Sequence, residues 1–394
     1  MIPDYYEFQN ATKILSGKLA INNIPAELKF LNSQSPLLIS DEILNKIGTV
    51  KKVKDAINTD NKIKVKAEYT QVPPDSDLKV VNKIAKIYKE QKCDSIVAVG
   101  GGSVIDTAKG VRMLLSQNKE DINELMGNEI LNYGKHIPFI VIPTTSGTGS
   151  EVTLVAVIED KIKNLKMEFI SYFLLPDVAV LDSEMTMTLP KKATASTGID
   201  ALCHAIEAYT CIQKNPLSDA YAISAIKLIM DNIEIAVKKG ENKKARLAMA
   251  NASLMAGIAF SNSMVGLVHA IGHSIGAVSK VPHGDAISIL LPYVMEYNFD
   301  VVKEEYAKIA LYTLPEECIN RSEEERAVLL IEKVKSLIKK LNEKTGLPKR
   351  LKDVKINKND FEKIAQTSIN DGAIIVNSKK ADIIDIINIL EKAY

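Results

Sequence analysis

Short apolar runs alternate with amphipathic segments over residues 1–185, and this alternation constrains the fold of the chain more than any other feature. Helical patterns, such as residues 78–92, separate the apolar runs. Uniformly apolar strands that alternate with helices are typical of a parallel sheet covered by helices on both faces. Four runs predict strands: PLLIS at 36–40, SIVAV at 95–99, FIVI at 139–142 and VAVL at 178–181.

The pattern changes after Pro190, because from Ala193 onward nearly every segment has helical periodicity. We therefore expect an α/β, Rossmann-like nucleotide-binding domain over residues 1–190 and an all-α domain over residues 191–394. A length of 394 residues is sufficient for two domains, each with its own core.

The composition favours a small-molecule substrate. A formal net charge of +1, without long blocks of like charge, gives no general attraction to nucleic acid or to an anionic membrane. The uncharged stretch over residues 247–279 is long enough to span a bilayer, but its polar side chains and glycines favour helices buried within protein. We expect neither a nucleic acid nor a membrane partner.

The cysteines and the N-terminus predict a cytoplasmic protein. The four cysteines form no CxxC pair, so no disulfide framework is indicated, which suits a reducing compartment. The polar and aromatic N-terminal sequence MIPDYYEFQN does not have the pattern of a secretory signal.

Four of the five histidines lie in two short segments, at 197–210 and 265–286. Asp200 and His204 are four residues apart without an intervening Gly or Pro, so they share one face of a predicted helix. His269 and His273 repeat this spacing, and His283 follows a proline. One carboxylate and three imidazoles predict a divalent-metal site with Lewis-acid character, formed by Asp200, His204, His269 and His283. The alternative is a set of buried, hydrogen-bonded histidines.

Two polar loops follow predicted strands. Residues 95–109 read as a strand, three glycines and a helix, an arrangement that lets backbone N–H groups approach a phosphate. The loop 143–153, PTTSGTGSEVT, is a second polar cradle, and both loops would flank the crevice at the carboxyl ends of the strands. Asp41 ends another strand, where a carboxylate can bind an adenosine ribose. The alternatives are tight turns for the loops and a turn or helix cap for Asp41.

The segments GGGSVIDTAK, PTTSGTGSEVT, TGIDALCHAIEAY and HAIGHSIGAVSKVPHG, in this order, resemble the iron-containing alcohol dehydrogenase family. The resemblance runs from about residue 5 to residue 300. It implies a dehydrogenase with a nucleotide-binding domain and a helical metal-binding domain, acting as a homo-oligomer. It also favours Fe²⁺ over Zn²⁺ and NAD over NADP.

The resemblance assigns roles to individual residues. It places the four metal ligands on Asp200, His204, His269 and His283, and it places His273 near the nicotinamide and the substrate. Asp41 matches the acidic position that favours NAD. The remaining nucleotide contacts that it implies are Gly101, Gly102, Ser103, Thr144, Thr145, Thr148, Lys166 and Leu181.

The substrate pocket is less well defined by the resemblance. Val155 and Phe260 match pocket positions, and their apolar side chains favour an aliphatic substrate, although both could simply be core residues. The chain departs from the family in having Ser183 where proline is usual, and VNSKKAD at 376–382 where Asn-Pro-Arg is usual. The second departure leaves the size and polarity of the substrate open.

The expected reaction is reversible hydride transfer between a small primary alcohol or diol, with its aldehyde, and NAD(H). A lyase similar to dehydroquinate synthase shares the fold but needs several basic residues around an acidic substrate. The segments 198–209 and 265–285 contain only Lys280 as a basic residue. A non-catalytic nucleotide-binding protein is the other alternative.

Overall fold

The computed structural model describes residues 3–126, 134–161 and 165–394, except the side chains of Leu165 and Lys166. The chain forms two compact units, one comprising residues 10–188 and the other residues 189–394 with the N-terminal segment. Sequence patterning groups the N-terminal segment with the first unit, but the structure packs it with the second. Asn262 exchanges hydrogen bonds with the backbone of Gln9 at 2.7 and 3.2 Å, which holds that segment in place.

The first unit contains a six-stranded parallel sheet and a hairpin. The described part of this unit contains eight strands: β1 (Lys13–Ser16), β2 (Pro36–Ile39), β3 (Ala67–Tyr69), β4 (Ser95–Gly100), β5 (Phe139–Pro143), β6 (Val155–Asp160), β7 (Leu165–Ile170) and β8 (Val178–Leu181). The sheet order is β1-β8-β5-β4-β2-β3, and every neighbouring pair is parallel. Strands β6 and β7 pair separately and antiparallel. The four strands predicted from apolar runs are all buried throughout, and each lies in the parallel sheet.

Helices cover both faces of this sheet. They are α1 (Ile24–Phe30), α2 (Glu42–Lys46), α3 (Thr49–Ile57), α4 (Leu78–Glu90), α5 (Gly102–Ser116) and α6 (Ser183–Thr186). Successive side chains of a strand point to opposite faces. Accordingly, Leu37 and Ile39 pack in one core with residues of α4 and α5, whereas Leu38 packs in the other with residues of α1 and α3. The predicted α/β class is confirmed.

The second unit is helical. Its helices are α7 (Lys191–Thr210), α8 (Pro216–Lys238), α9 (Lys243–Ser261), α10 (Leu267–Ser279), α11 (His283–Thr313), α12 (Glu323–Thr345), α13 (Phe361–Ser368) and α14 (Ile383–Ala393). Apolar faces of these helices form one continuous core. The uncharged stretch 247–279 contains most of α9 and all of α10, and most of its apolar residues are buried. None of the helices described combines the length and the apolarity that crossing a membrane would require.

Candidate functional site

Helix α7 presents Asp200 and His204 one turn apart, as their spacing predicts. Both residues are buried, with 3% and 6% of their surface exposed. A carboxylate and an imidazole at these depths are costly unless a partner compensates for the lost water. The remaining members of the cluster provide such partners.

Helices α10 and α11 bring three further histidines to the same place. Asp200 Oδ1 lies 3.3 Å from His283 Nε2 and 3.7 Å from His269 Nε2. The ring of His204 stacks on that of His269 with centroids 4.4 Å apart, and the ring of His273 lies 5.3 Å from that of His283. The structure therefore brings together all four predicted ligands and His273.

The donor set fits a divalent cation. Asp200 Oδ1 and His269 Nε2 are buried, and neither atom takes part in a hydrogen bond with the described residues. The ligand atoms of Asp200, His269 and His283 lie within 4.8 Å of one another. Bonds of about 2.1 Å to one ion would place such atoms about 3 to 3.5 Å apart, close to the observed Asp200–histidine distances. His204 lies beside these three residues, because its ring stacks on that of His269.

The electrostatics of Asp200 suit a cation ligand. Burial raises the pKa of the Asp200 carboxyl. The neighbouring His204 and His283 lower it by a larger amount, so that its pKa lies well below the ordinary value. Burial lowers the pKa of His283, which favours the neutral imidazole. An ionised carboxylate and a neutral imidazole are the protonation states that bind metal.

Glu207, one turn beyond His204 on α7, orients His269. Glu207 Oε2 lies 2.5 Å from His269 Nδ1, and Oε1 accepts a hydrogen bond from the Val268 N–H at 2.7 Å. Burial lowers the pKa of His269, but Cys203 and Glu207 raise it by a larger amount, so that it lies well above the ordinary value and the Nε2 proton must leave when a metal binds there. A proton held on Nδ1 by a carboxylate leaves Nε2 as the metal-binding atom.

Glu207 also caps a helix. Gly266, at the N-cap of α10, has no side chain with which to bind the free N–H groups of the first turn. The carboxylate of Glu207 serves one of these groups through its bond to Val268. Residue type and motif do not single out Glu207, although its seven-residue spacing from Asp200 places it on the same helical face.

Asp371 orients His273. Its Oδ2 lies 2.9 Å from His273 Nδ1, while Oδ1 accepts the Ala373 N–H at 2.9 Å. His273 is only partly buried, and the bond at Nδ1 leaves Nε2 able to exchange a proton. Asp371 lies 98 residues further along the chain, so neither spacing nor periodicity identifies it.

The segment at 376–382, which departs from the family pattern, packs against α10 and α11. Asn377 Oδ1 accepts the Leu267 N–H at 3.3 Å and the Asn298 amide at 3.0 Å. Lys379 Nζ donates to the Tyr297 carbonyl at 2.9 Å. Asn377 thus provides a second remote cap for α10, the helix that presents His269 and His273.

The two predicted nucleotide loops are in contact within the first unit. Gly101 is the N-cap of α5, and among the described residues no capping side chain accepts a hydrogen bond from the N–H groups of that first turn. A Cβ atom on Gly101 would lie 3.1 Å from Thr145 Cγ2, and one on Gly102 would lie 3.0 Å from Thr148 Cγ2. The glycines therefore permit a close approach of the second loop while leaving helix N–H groups for an anion.

The other predicted nucleotide residues lie in these two loops, in β7 and at the end of β8. The N–H of Thr144 donates to the Gly100 carbonyl at 3.0 Å, and the Ser103 hydroxyl accepts the Asp75 N–H at 3.2 Å. Leu181 is buried at the end of β8. Lys166 lies in β7 opposite Glu159, but its side chain is outside the described residues.

Asp41 serves as a helix cap, which is one of the two roles considered for it. Its Oδ1 accepts the Leu44 N–H at 2.8 Å at the start of α2, directly after β2. The carboxylate is partly exposed at the carboxyl end of that strand. This position is compatible with a ribose contact in addition to capping.

The two predicted pocket residues belong to different units. Val155 begins β6, and its carbonyl accepts a hydrogen bond from Lys109 Nζ at 2.7 Å. Phe260 lies in the last turn of α9 and stacks on His204 with centroids 4.4 Å apart. Phe260 therefore provides an apolar wall directly beside the histidine cluster.

Family comparisons cover almost the whole chain. The family model described as iron-containing alcohol dehydrogenase matches residues 11–183. The model described as the C-terminal part of the Fe-containing alcohol dehydrogenase family matches residues 194–394.

Individual relatives agree with these matches. The chain is 34% identical over 380 residues to an NAD-dependent methanol dehydrogenase of Bacillus methanolicus, covering 96% of this chain and 97% of the relative. It is 36% identical over 332 residues to an NADPH-dependent butanol dehydrogenase of Clostridium saccharobutylicum, covering 82% of both. A crystal structure of 1,3-propanediol oxidoreductase superposes with a TM-score of 0.92 at 33% identity, covering 99% of this chain and 100% of the other.

Proposed function

This chain belongs to the iron-containing alcohol dehydrogenase family, and we propose that it transfers hydride reversibly between a small primary alcohol or diol and NAD. The convergence of Asp200, His269 and His283 on one point carries this proposal, because such a donor set suits a catalytic divalent metal. The lyase alternative gains no support, since Lys280, the one basic residue of the metal-ligand segments, is exposed.

We propose that Asp200, His204, His269 and His283 hold Fe²⁺. When bound, the ion supplies a Lewis acid that polarises a carbonyl and makes an alcohol more acidic. Ligands of these types also suit Zn²⁺, which the Irving–Williams order favours where it is available. Glu207 keeps His269 in the tautomer that binds a metal through Nε2.

We propose that the loops around Gly101 and Thr148 bind the diphosphate of NAD. The free N–H groups at the start of α5 are donors for it, and the helix dipole adds attraction for negative charge. NAD provides the hydride acceptor when it is bound. The carboxylate of Asp41 supports a preference for NAD, because it would repel the additional phosphate of NADP.

His273 is the proposed proton-exchanging group. Its Nδ1 is engaged by Asp371, so that a proton can be accepted or released at Nε2. Its ring lies 5.8 Å from that of the proposed ligand His269.

The proposed substrates are short and aliphatic. Phe260 places an aromatic wall against His204, which favours an apolar substrate beside the histidine cluster. Alcohols and diols in the names of the relatives belong to the same chemical class.

A cytoplasmic homo-oligomer is part of the same proposal. All four cysteines are free and buried, which suits a reducing compartment. Strand β1 lies at the edge of the sheet, and Ile14 and Phe30 near it are exposed, which supports association with a second copy.

The proposal is tested by NADH oxidation with anaerobically purified, Fe²⁺-loaded protein and a panel of short aldehydes. Zn²⁺-loaded protein and NADPH define the metal and the coenzyme. His269→Ala is expected to abolish turnover, whereas His136→Ala, outside the cluster, is expected to retain it. Absence of turnover with every aldehyde, or equal turnover in wild type and His269→Ala, would refute the proposed function.

A further inference from the structure

One face of helix α5 follows the segment 145–158 turn by turn. Gly102 meets Thr148 at the first turn, Asp106 meets Ser150 at the second, and Lys109 meets Thr153 at the third. Both proposed nucleotide loops lie at the start of this contact. The contacts further along therefore determine how the second loop is seated against the first.

Lys109 is the strongest of these contacts. Its side chain is fully buried, and its three ammonium donors reach the Thr153 carbonyl at 2.8 Å, the Thr153 hydroxyl at 2.9 Å and the Val155 carbonyl at 2.7 Å. Burial lowers the pKa of Lys109 to about 8, although the carboxyl groups of Asp106 and Glu151 counteract this effect. A buried ammonium with all donors satisfied fixes its partners in one geometry.

Asp106 provides the second polar contact. Its Oδ1 accepts the Ser150 hydroxyl at 2.6 Å, and its Oδ2 accepts the Val157 N–H at 3.1 Å. Asp106 and Lys109 are neighbours on the same helix, so their charges compensate one another. Together they hold the segment 150–157 against α5, with one contact on each side of Glu151, directly after the loop that contains Thr148.

We propose that Lys109 and Asp106 are positioning residues that seat the second nucleotide loop against the first and thereby determine the affinity for the dinucleotide. This inference rests on the proposed NAD-dependent function. Neither side chain needs to touch the cofactor, because both act through residues 150–157. A Cβ atom added to Gly101 or Gly102 would already lie only about 3 Å from Thr145 or Thr148, so the two loops are close together and leave little room for a shifted loop.

The decisive comparison is between the NADH affinities of two variants, Thr153→Val and its control Thr186→Val. Both threonines are buried in the first unit, but within the part of the chain that the structure describes the Thr186 hydroxyl donates only to the carbonyl of Ser183 in its own short helix. Thr153→Val removes one of the three Lys109 bonds with almost no change of shape. Lys109→Met, which removes all three, is the stronger variant.

The measurement is the dissociation constant of NADH, by fluorescence titration of chelator-treated protein, together with metal stoichiometry and thermal unfolding. We expect the constant to rise about threefold in Thr153→Val and at least about tenfold in Lys109→Met. Thr186→Val should bind NADH with wild-type affinity, and all three variants should bind as much metal as the wild-type protein. A folded Lys109→Met protein with wild-type NADH affinity would overturn the inference.

The second variant keeps the inference testable if Lys109→Met does not fold. In that case wild-type affinity in Thr153→Val, or an equal loss in Thr186→Val, overturns it. If the wild-type protein binds NADH and every variant binds NADH with the same affinity as wild type, the inference is refuted but the proposed function stands. A wild-type protein that binds neither NADH nor NADPH refutes both.

Discussion

At the scale of single residues, the proposed metal site depends on groups that do not touch the metal. Glu207 accepts bonds from both His269 and Val268, so it orients a ligand and caps the helix that presents it. Asp371 likewise orients His273, and it also caps its own segment by accepting the Ala373 N–H. Carboxylates in this position commonly set the affinity of a metal site and the tautomer of its histidines.

Glu207→Gln is predicted to weaken metal binding by about 10- to 100-fold, because the amide cannot fix the His269 proton as a carboxylate does. Competition with a chromophoric chelator measures the affinity without reference to activity. Glu362→Gln changes an exposed glutamate of α13 in the same way and should leave the affinity unchanged. Wild-type metal affinity in Glu207→Gln would show that the carboxylate does not position the ligand.

Asp371→Asn is predicted to lower kcat by about tenfold while metal content and NADH affinity stay at the wild-type level. Asparagine retains an oxygen for the Ala373 N–H but removes the charge that orients His273. Steady-state kinetics with metal analysis of the same samples separates these effects. The proposed role of Asp371 fails if kcat is unchanged, or if it falls only in proportion to lost metal.

Glu151→Gln is predicted to flatten the dependence of stability on pH. Burial raises the pKa of Glu151 from 4.5 to about 7, although Lys109 partly opposes this. Between these values the folded state binds more protons than the unfolded state, so this group lowers stability as pH rises from about 4.5 to 7. The difference in unfolding free energy between pH 5 and pH 8 should therefore shrink by about 1 to 3 kcal/mol.

Urea unfolding at both pH values measures this difference. Glu90→Gln, at an exposed position of α4, is the matched control and should keep the wild-type dependence. An unchanged pH dependence in Glu151→Gln would mean that the buried carboxyl does not titrate in this range.

At the scale of elements, the sequence predicts the strands that are buried on both faces and misses those that are not. Strands β2, β4, β5 and β8 are continuous apolar runs, and the structure confirms them. The missed strand β1 is largely exposed, and β3 contains only three residues. Strand β6 alternates buried and partly exposed residues at the end of a polar loop, so its pairing with β7 depends on tertiary contacts.

Gly102→Ala tests the contact between the two nucleotide loops. Alanine favours a helix by about 1 kcal/mol over glycine, so stability should not fall. The new Cβ would nevertheless lie 3.0 Å from Thr148 Cγ2 and displace the second loop. We predict a rise of about fivefold or more in the NADH dissociation constant without loss of thermal stability.

Thr148→Ser removes the methyl group that the new Cβ at position 102 would meet. Adding it to Gly102→Ala should return the NADH dissociation constant to within about threefold of the Thr148→Ser single variant. Additive effects of the two substitutions would contradict a direct contact between the loops.

At the scale of the whole molecule, the sequence predicts which ligand-bearing segments meet at the metal site, but not the long-range contacts that support them. The four-residue spacings of Asp200–His204 and His269–His273 correctly indicate shared helical faces. The clustering of ligand-type residues along the chain predicts that these faces meet His283 in one site, and the family resemblance implies the same; the structure brings Asp200, His269 and His283 together. Asp371 and Asn377 could not be found in this way, because long-range packing alone brings them to α10.

The measurement that tests the central claim most directly is the rate of NADH oxidation as Fe²⁺ is added stepwise to chelator-treated protein with an active aldehyde. If Asp200, His204, His269 and His283 hold one catalytic ion, the rate should rise linearly and level off at about one equivalent per chain. Asp200→Asn, which removes the charge but keeps the shape, should stay near the background rate. Full activity in metal-free protein, or a wild-type plateau in Asp200→Asn, would contradict the account.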